Sequence, residues 1–141
     1  MSTRSSLFLD TSGWAEPVVA NSPDHEPMTR FYRSLVARKR PLVTTNYILS
    51  ELVALLTARS RYSRPEVLAI VNGIKHIRHL AVVHIDPTTD AEAWAMLERY
   101  ADKDWPLVNA ASFVVMRHMG ITEAFTTDHH FAQAGSTRVP A

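Results

Sequence analysis

The stretch "DKDWPLVNAASFVVMRHMGITEAFTTDHHF", residues 102–131, carries the clearest fold signal in the chain. Its centre has a helical pattern bounded by Pro106, a residue favoured in the first turn of a helix, and by Gly120, favoured just past the end. The apolar run "EAFTT", residues 123–127, follows at once and predicts a short buried strand. A helix that leads directly into a buried strand is typical of α/β proteins. One polar residue, Asn109, stands in the first turn of this otherwise apolar helix.

The same alternation of strands and helices extends over the whole chain. The runs typical of buried strands lie at residues 7–9, 41–44, 80–85 and 123–127, with a weaker fifth at 137–140. The segments of helical period cover residues 25–39, 46–60, 64–80, 88–102 and 106–120. This order predicts an α/β fold: a single three-layer domain over residues 1–141, with its core at about 5–139. Its short parallel sheet is flanked by helices on both faces.

Composition restricts the class of protein further. Apolar residues make up 46% of the 141 residues and charged residues 21%, which favours a folded globular chain over a disordered one. The 15 Lys and Arg nearly balance the 14 Asp and Glu, so no strong overall field attracts nucleic acid. The absence of cysteine excludes disulfides, thiolate nucleophiles and Cys-ligated zinc. No apolar run approaches the roughly 20 residues of a membrane span, and we expect a cytoplasmic protein.

Acidic residues follow two of the predicted strands directly. Asp10 comes after the strand at 7–9, and Asp128 comes after the strand at 123–127. Because the carboxyl ends of parallel strands meet at one edge of a sheet, we expect both carboxylates on the same rim. Glu51 belongs to the helix after the second strand. It lies one turn from the helix start on the flank of the apolar stripe, where we expect it to be half-buried.

Each acid also has a purely structural interpretation. Asp10 is placed to cap a helix over "TSGWAEP", Asp128 to cap the turn at "HHF", and Glu51 to pair with Arg59 or another basic residue. Together, however, clustered carboxylates repel one another and acquire raised pKa values unless a cation lies among them. An oxygen-only ligand set suits Mg²⁺ or Mn²⁺, which polarise phosphate oxygens and activate water. The cluster therefore favours metal-assisted phosphodiester hydrolysis.

Three blocks of the sequence resemble a known family in their order and spacing. They are "LFLDTSGW", "VTTNYILSELVALL" and the stretch at 102–131, and they resemble the PIN domain, most closely the VapC toxins of bacterial toxin–antitoxin pairs. The resemblance implies a small parallel sheet with helices on both sides and a Mg²⁺- or Mn²⁺-dependent endoribonuclease acting on structured RNA, often tRNA or rRNA. It also implies a homodimer, for which "PEVLAIVNGIKHI" (65–77) offers an apolar helix surface, and a partner antitoxin.

The resemblance implies a pocket of four acids, and this chain departs from it at one position. Asp10, Glu51 and Asp128 match three of them, and Thr11 matches a hydroxyl that helps to hold the pocket. The fourth position, expected to be Asp, is Asn109. An amide keeps one carbonyl oxygen but loses the charge, and it cannot act as a base towards water. We therefore expect this chain to be impaired or inactive as a nuclease.

Two explanations of Asn109 stay open. It is either a deliberate inactivating change that lets a toxic nuclease be produced safely, or a natural one that leaves a weak enzyme or an RNA-binding relic. Asp104 and Asp102 lie just upstream as acids that offer a substitute carboxylate. His130 and Trp105 are candidate RNA contacts, the first to phosphate and the second by stacking on an unpaired base.

Other functions compete with the nuclease interpretation. One is a catalytically inactive PIN-like module that binds RNA or an antitoxin without cleaving. Another is a phosphoacceptor domain of the receiver type, whose parallel sheet also gathers Asp residues at its rim. This chain lacks the paired acids near the start and the late Lys of such a domain. Absence of metal binding would favour the pure binding module.

Overall fold

The computed structural model describes residues 5–18, 23–59 and 62–140 of the chain, and all elements below lie within these ranges. The strands are β1 (Leu7–Leu9), β2 (Leu42–Thr45), β3 (Leu80–Val83), β4 (Glu123–Phe125) and β5 (Thr137–Val139). The helices are α1 (Thr11–Ala15), α2 (His25–Ala37), α3 (Asn46–Arg59), α4 (Arg64–Lys75), α5 (Pro87–Arg99), α6 (Leu107–Met119) and α7 (His130–Gln133). The predicted α/β fold, with helices on both faces of a short parallel sheet, is confirmed.

The five strands form one parallel sheet in the order β3-β2-β1-β4-β5. Phe8 at the centre of β1 is in register with Val43 of β2 on one side and with Ala124 of β4 on the other. From β1 the chain builds outward through β2 and β3, and then returns to add β4 and β5 on the opposite side. The strand order thus reverses between β1 and β4. Parallel sheets bind ligands outside the carboxyl ends of the strands at such a reversal.

The central strands are buried because helices cover them on both faces. Leu7, Phe8 and Leu9 are all fully buried. Because both faces of β1 are covered, its sequence is apolar throughout and does not alternate between apolar and polar residues. Phe131 of α7 is also fully buried and packs against the rings of Phe8 and Phe113, with ring centroids 6.2 and 5.0 Å apart. This aromatic contact fixes α7 beside the carboxyl end of β1.

The element boundaries differ from the sequence prediction in a few places. The strand predicted at 123–127 ends at Phe125, and beyond it the hydroxyl of Thr126 and the backbone N–H of Thr127 form hydrogen bonds across the rim. The strand predicted at 80–85 ends at Val83. Helix α6 ends where predicted, since Gly120 adopts a left-handed conformation with φ of 67°. Among the described residues, no helix is both long and apolar enough to cross a membrane.

Candidate active site

Asp10 lies directly after β1, at the strand reversal, and is only 4% exposed. Its Oδ2 accepts a hydrogen bond from Thr126 Oγ1 at 2.7 Å, and Ser12 Oγ lies 3.3 Å from the same oxygen. Asp10 occupies the N-cap position of α1, but its side chain makes no capping hydrogen bond. The capping interpretation is therefore wrong for Asp10, whose carboxylate faces the rim.

The electrostatic state of Asp10 reflects its neighbours. The pKa of its carboxyl is raised to about 6, chiefly by burial and to a smaller extent by the nearby charges of Asp128 and Glu51, while hydrogen bonds led by that from Thr126 lower it in part. The three acids expected to share the rim are thus close enough for two of them to perturb the third. This is the behaviour expected of carboxylates gathered without a cation.

Two hydroxyl groups tie the loops of Asp10 and Asp128 together, and sequence reasoning missed both. Thr126 Oγ1 donates to Asp10 and accepts the backbone N–H of Asp128 at 2.9 Å. Ser12 Oγ lies 3.0 Å from Thr126 Oγ1 and accepts the backbone N–H of Thr127 at 2.9 Å. The available signal was a hydroxyl residue within two positions of each acid, in "DTS" and "TTD". These contacts hold the two carboxylates in a fixed relation.

Glu51 reaches the site from α3. Thr11, the residue after Asp10, donates a hydrogen bond from its hydroxyl to Glu51 Oε1. This contact agrees with the supporting role that the family resemblance implies for Thr11. Glu51 is exposed rather than half-buried as expected, because its side chain leaves the apolar stripe of α3 towards the open rim. The side chain of Arg59, its alternative partner, lies outside the described part of the structure.

Asp128 and Asn109 form a direct pair. Asn109 lies in the first turn of α6, is 3% exposed, and its Nδ2 donates to Asp128 Oδ2 at 2.9 Å. The other carboxylate oxygen, Oδ1, accepts the backbone N–H of His130 at 2.9 Å, so Asp128 also organises the turn into α7, as its capping interpretation predicted. A polar side chain is needed at position 109 because an apolar one would leave Oδ2 of Asp128 without this donor.

His130 lies against this pair from α7. Its Nδ1 is 3.0 Å from Asp128 Oδ1 and 3.5 Å from Asn109 Nδ2, and its side chain is only 14% exposed. Its Nε2 lies 3.2 Å from Oδ1 of Asp104, whose side chain is 92% exposed. Asp104 therefore contacts the site through His130, whereas the neighbouring acid Asp102 pairs with Lys103 at 3.4 Å.

Trp105 does not occupy the position expected of a base-stacking residue. It is 7% exposed, its ring packs against Tyr100 and Phe113 with centroids 5.1 Å away in each case, and its Nε1 donates to Gln133 Oε1 at 2.9 Å. The proposed stacking contact is corrected to a structural role. Trp105 joins the loop that carries Asp104 to α7.

The donor set at the rim fits a hard divalent cation. Asp10, Glu51 and Asp128 supply carboxylate oxygens, and among the described residues no Lys or Arg forms an ion pair with any of them. The carboxyl of Asp10 is buried and repelled by its acidic neighbours, and this repulsion is what a bound cation would relieve. The three acids are the residues that would hold the ion.

Comparison with known proteins gives the same arrangement a family context. The sequence profile described as PIN domain matches residues 7–136. The chain is 32% identical over 134 residues to the 23S rRNA-specific endonuclease VapC20 of Mycobacterium tuberculosis, covering 94% of this chain and 97% of the relative.

Solved structures agree with the sequence comparison. The crystal structure of M. tuberculosis VapC20, described as a sarcin-ricin loop cleaving toxin, matches with a TM-score of 0.80 and 31% identity over 93% of this chain and 96% of that one. PAE2754 from Pyrobaculum aerophilum matches with a TM-score of 0.65 and 14% identity, over 99% of this chain and 93% of that one. FitAcB from Neisseria gonorrhoeae matches with a TM-score of 0.65 and 16% identity, over 94% and 95%. The last two likenesses establish the fold alone.

Proposed function

Because the chain belongs to the PIN-domain family, we propose that it is a divalent-metal-dependent endoribonuclease of the VapC toxin type, weakened at one metal-facing position. The observation that carries the proposal is the buried carboxyl of Asp10 beside Glu51 and Asp128, at the strand reversal of a parallel sheet. Burial of Asp10, with a smaller contribution from its acidic neighbours, disfavours the charged form of this carboxyl in the metal-free fold. Such a cluster is explained by a cation that the fold is built to receive.

The residues of the pocket have distinct roles in this proposal. When bound, Mg²⁺ or Mn²⁺ supplies a Lewis acid for the scissile phosphate and lowers the pKa of water. Asp10, Glu51 and Asp128 would hold the ion. Thr126 fixes the spacing of Asp10 and Asp128 through its two hydrogen bonds, and Thr11 orients Glu51. The attacking water and the phosphate approach from the exposed side, where Glu51 opens to solvent.

Asn109 weakens this machinery by charge and by orientation. Its amide nitrogen is directed at Asp128, so in this arrangement the group facing the carboxylate is a donor, which cannot ligate a cation. The site has one negative charge fewer than the four-acid pocket that the family resemblance implies. We infer weaker metal binding and a cleavage rate well below that of the corresponding Asp form.

The relatives support a class of substrate and a class of partner for this chain. The 32% identical relative is named as specific for 23S rRNA and its structure is described as that of a toxin, which supports a structured RNA, rRNA or tRNA, as the substrate. The toxin description also supports a cognate antitoxin protein that covers the site. We further propose a homodimer formed through α4, where the side chain of Leu68 is 46% exposed.

A second candidate function is favoured by Asn109 itself. A PIN-like module that has lost a metal-facing charge retains its fold and its surface, and would bind RNA or an antitoxin without cleaving. The pairing of Asn109 with Asp128 at 2.9 Å is compatible with this function, because it stabilises the rim without a metal ion.

Cleavage of total bacterial RNA distinguishes the two functions. The chain and its Asn109→Asp variant are incubated with RNA in Mg²⁺, in Mn²⁺ and in EDTA, and the 5′ ends of the products are mapped. We expect metal-dependent cuts at defined positions by the Asp variant, at least about a hundredfold faster than by this chain. The double variant Asp10→Asn/Asn109→Asp is the negative control. If neither protein cleaves while both bind RNA, the nuclease proposal fails and the binding module replaces it.

A further inference from the structure

We propose that the imidazole of His130 is a ligand of the divalent cation, supplying through Nδ1 the donor that Asn109 does not. The inference rests on the proposed metal-dependent function and concerns the same pocket. It concerns a residue whose sequence-based interpretation was a contact to RNA phosphate. Four observations carry it: the position of the ring, its hydrogen bonds, the orientation of Asn109, and the neighbours that fix the ring.

The ring of His130 is held against the carboxylate of Asp128. The backbone N–H of His130 donates to Asp128 Oδ1 at 2.9 Å, and this tight turn returns the side chain towards the same carboxylate. Nδ1 then lies 3.0 Å from Oδ1, and the ring is largely buried. The neighbouring Phe131 is fully buried and anchors α7 in the core, so the ring is carried by a rigid element.

The hydrogen bond on the far side of the ring assigns its tautomer. Nε2 lies 3.2 Å from Oδ1 of Asp104, and because an ionised carboxylate only accepts, Nε2 must carry the proton. In the neutral ring the lone pair of Nδ1 therefore faces the carboxylate of Asp128 at 3.0 Å. At this distance the two lone pairs repel unless a proton or a metal cation lies between them, and an ion bound in this pocket would take that place. A histidine that donates one ring N–H to a carboxylate while its other nitrogen faces a cation site is the usual arrangement of metal-bound histidines.

The orientation of Asn109 is consistent with His130 acting as the ligand. Its Nδ2 donates to Asp128 and lies 3.5 Å from His130 Nδ1, so the amide presents hydrogens rather than an oxygen towards both groups. The side-chain nitrogen that offers a lone pair beside Asp128 is then Nδ1 of His130, at 3.0 Å. Asp128, His129 and His130 also have ligand atoms that all lie within 4.8 Å of one another. His129 is the weaker candidate, since its Nδ1 is 3.9 Å from Asp128 and its side chain is 68% exposed.

A nitrogen ligand changes which metal the pocket prefers. Imidazole is a better ligand for first-row transition metals and Zn²⁺ than for Mg²⁺, which favours oxygen and retains its waters; Mn²⁺ prefers oxygen as well but lies at the start of the transition-metal series. We therefore expect this chain to bind Mn²⁺ more tightly than Mg²⁺ by about tenfold or more. His130→Gln should lose about tenfold or more in Mn²⁺ affinity, with a smaller loss for Mg²⁺.

Electron spin-echo spectroscopy of bound Mn²⁺ tests the ligand directly. In the unmodified chain loaded with Mn²⁺ alone, we expect the coupling of a directly coordinated imidazole ¹⁴N, changing to a ¹⁵N pattern when histidine is ¹⁵N-labelled. The coupling should vanish in His130→Gln and persist in the matched neighbour variant His129→Gln. Labelling of the unmodified chain shows whether any histidine is a ligand, and coupling that persists in His129→Gln excludes the neighbouring ring even if His130→Gln fails to fold.

The other outcomes overturn the inference in separable ways. Bound Mn²⁺ without nitrogen coupling, or coupling that is lost only in His129→Gln, excludes His130 as the ligand and leaves the acidic pocket in place. Binding by Asn109→Asp but not by the unmodified chain shows that His130 does not replace the missing acid. Absence of Mn²⁺ binding in both proteins removes the metal-dependent function itself.

Discussion

At the scale of single residues, Asn109 and Asp10 show how the pocket is balanced without a metal ion. Asn109 gives Asp128 a neutral hydrogen-bond partner at 2.9 Å, which stabilises the carboxylate of Asp128 without adding a further negative charge to the rim. Asp10 has hydroxyl partners, no Lys or Arg of the described residues forms an ion pair with it, and burial is the main cause of its pKa being raised to about 6. The carboxylate of Asp10 therefore carries a cost in the folded state, as functional groups commonly do.

Neutralising Asp10 should stabilise the metal-free protein. A pKa raised from 3.8 to about 6 means that the charged form is disfavoured in the fold, so the cost grows between pH 4 and pH 6 and is complete above pH 6. Asp10→Asn should increase the free energy of unfolding by about 3 kcal/mol at pH 7 and by far less at pH 4. Urea unfolding in EDTA at both pH values measures the difference.

Asp102→Asn is the matched control for this prediction, because its side chain is 72% exposed and pairs with Lys103 at the surface. It should change the stability by no more than about 0.5 kcal/mol at either pH. An equal gain from Asp10→Asn at pH 4 and pH 7 would show that shape, and not charge, is the cause.

The sequence identified the acids more readily than the groups that hold them. Asp10 and Asp128 could be placed because parallel strands end at one edge, and the structure brings both there with Glu51. Thr126 could not be assigned in advance, since its bond to Asp10 joins residues 116 positions apart. Trp105 was misassigned because sequence alone does not show that the rings of Tyr100 and Phe113 cover it.

At the scale of elements, the contact between α1 and β4 sets the spacing of the pocket. Helix α1 begins directly after Asp10, and an added Cβ at Gly13 would lie 2.4 Å from the backbone oxygen of Phe125 and 2.8 Å from its ring. Phe125 is three residues before Asp128, so the close packing of Gly13 on β4 holds the two acid loops together. The alternation of helices and strands could be predicted from the sequence. The close approach of α1 to β4 could not, because it depends on Gly13, which has no side chain, packing against the backbone of Phe125, a residue far away in the sequence.

Gly13→Ala should therefore be destabilising. The backbone oxygen of Phe125 cannot move aside, so α1 must shift, at a cost of about 1–3 kcal/mol. Thermal unfolding measures the loss, and Mn²⁺ affinity should fall with it because Asp10 moves relative to Asp128.

Gly73→Ala is the control, because it makes the same substitution at a position where an added Cβ meets no other atom. Gly73 lies inside α4 with nothing within 4 Å of an added Cβ, so this variant should gain about 0.5–1 kcal/mol and leave metal binding unchanged. Equal effects of the two substitutions would contradict the packing argument at Gly13.

At the scale of the whole molecule, the balanced charge and the apolar face of α4 bear on assembly. The formal charge of +1 gives no strong overall attraction to RNA, so recognition must come from local groups near the rim. Leu68 of α4 lines a groove of about 510 Å³ between α3, α4 and β3. The single domain with its core at about 5–139 stays a prediction, and the homodimer is a proposal.

Leu68→Glu should dissociate the proposed dimer. A charge buried at an apolar interface is costly, so the variant should elute with the 15.8 kDa mass of one chain, and the unmodified protein with twice that mass. Light scattering coupled to size exclusion gives the masses. Trp94→Glu, which changes another apolar side chain with 52% exposure on α5, should leave the dimer intact. A monomeric unmodified protein would rule out the dimer.

The central claim is that Asp10, Glu51 and Asp128 form one cation site, and isothermal titration of the metal-free protein with Mn²⁺ tests it most directly. We predict one ion bound per chain, binding at least about tenfold tighter in Asn109→Asp, and no measurable binding in Asp10→Asn. Binding that is unchanged by Asp10→Asn would place the ion elsewhere and contradict the account. Failure of both the unmodified chain and Asn109→Asp to bind Mn²⁺ would contradict it equally.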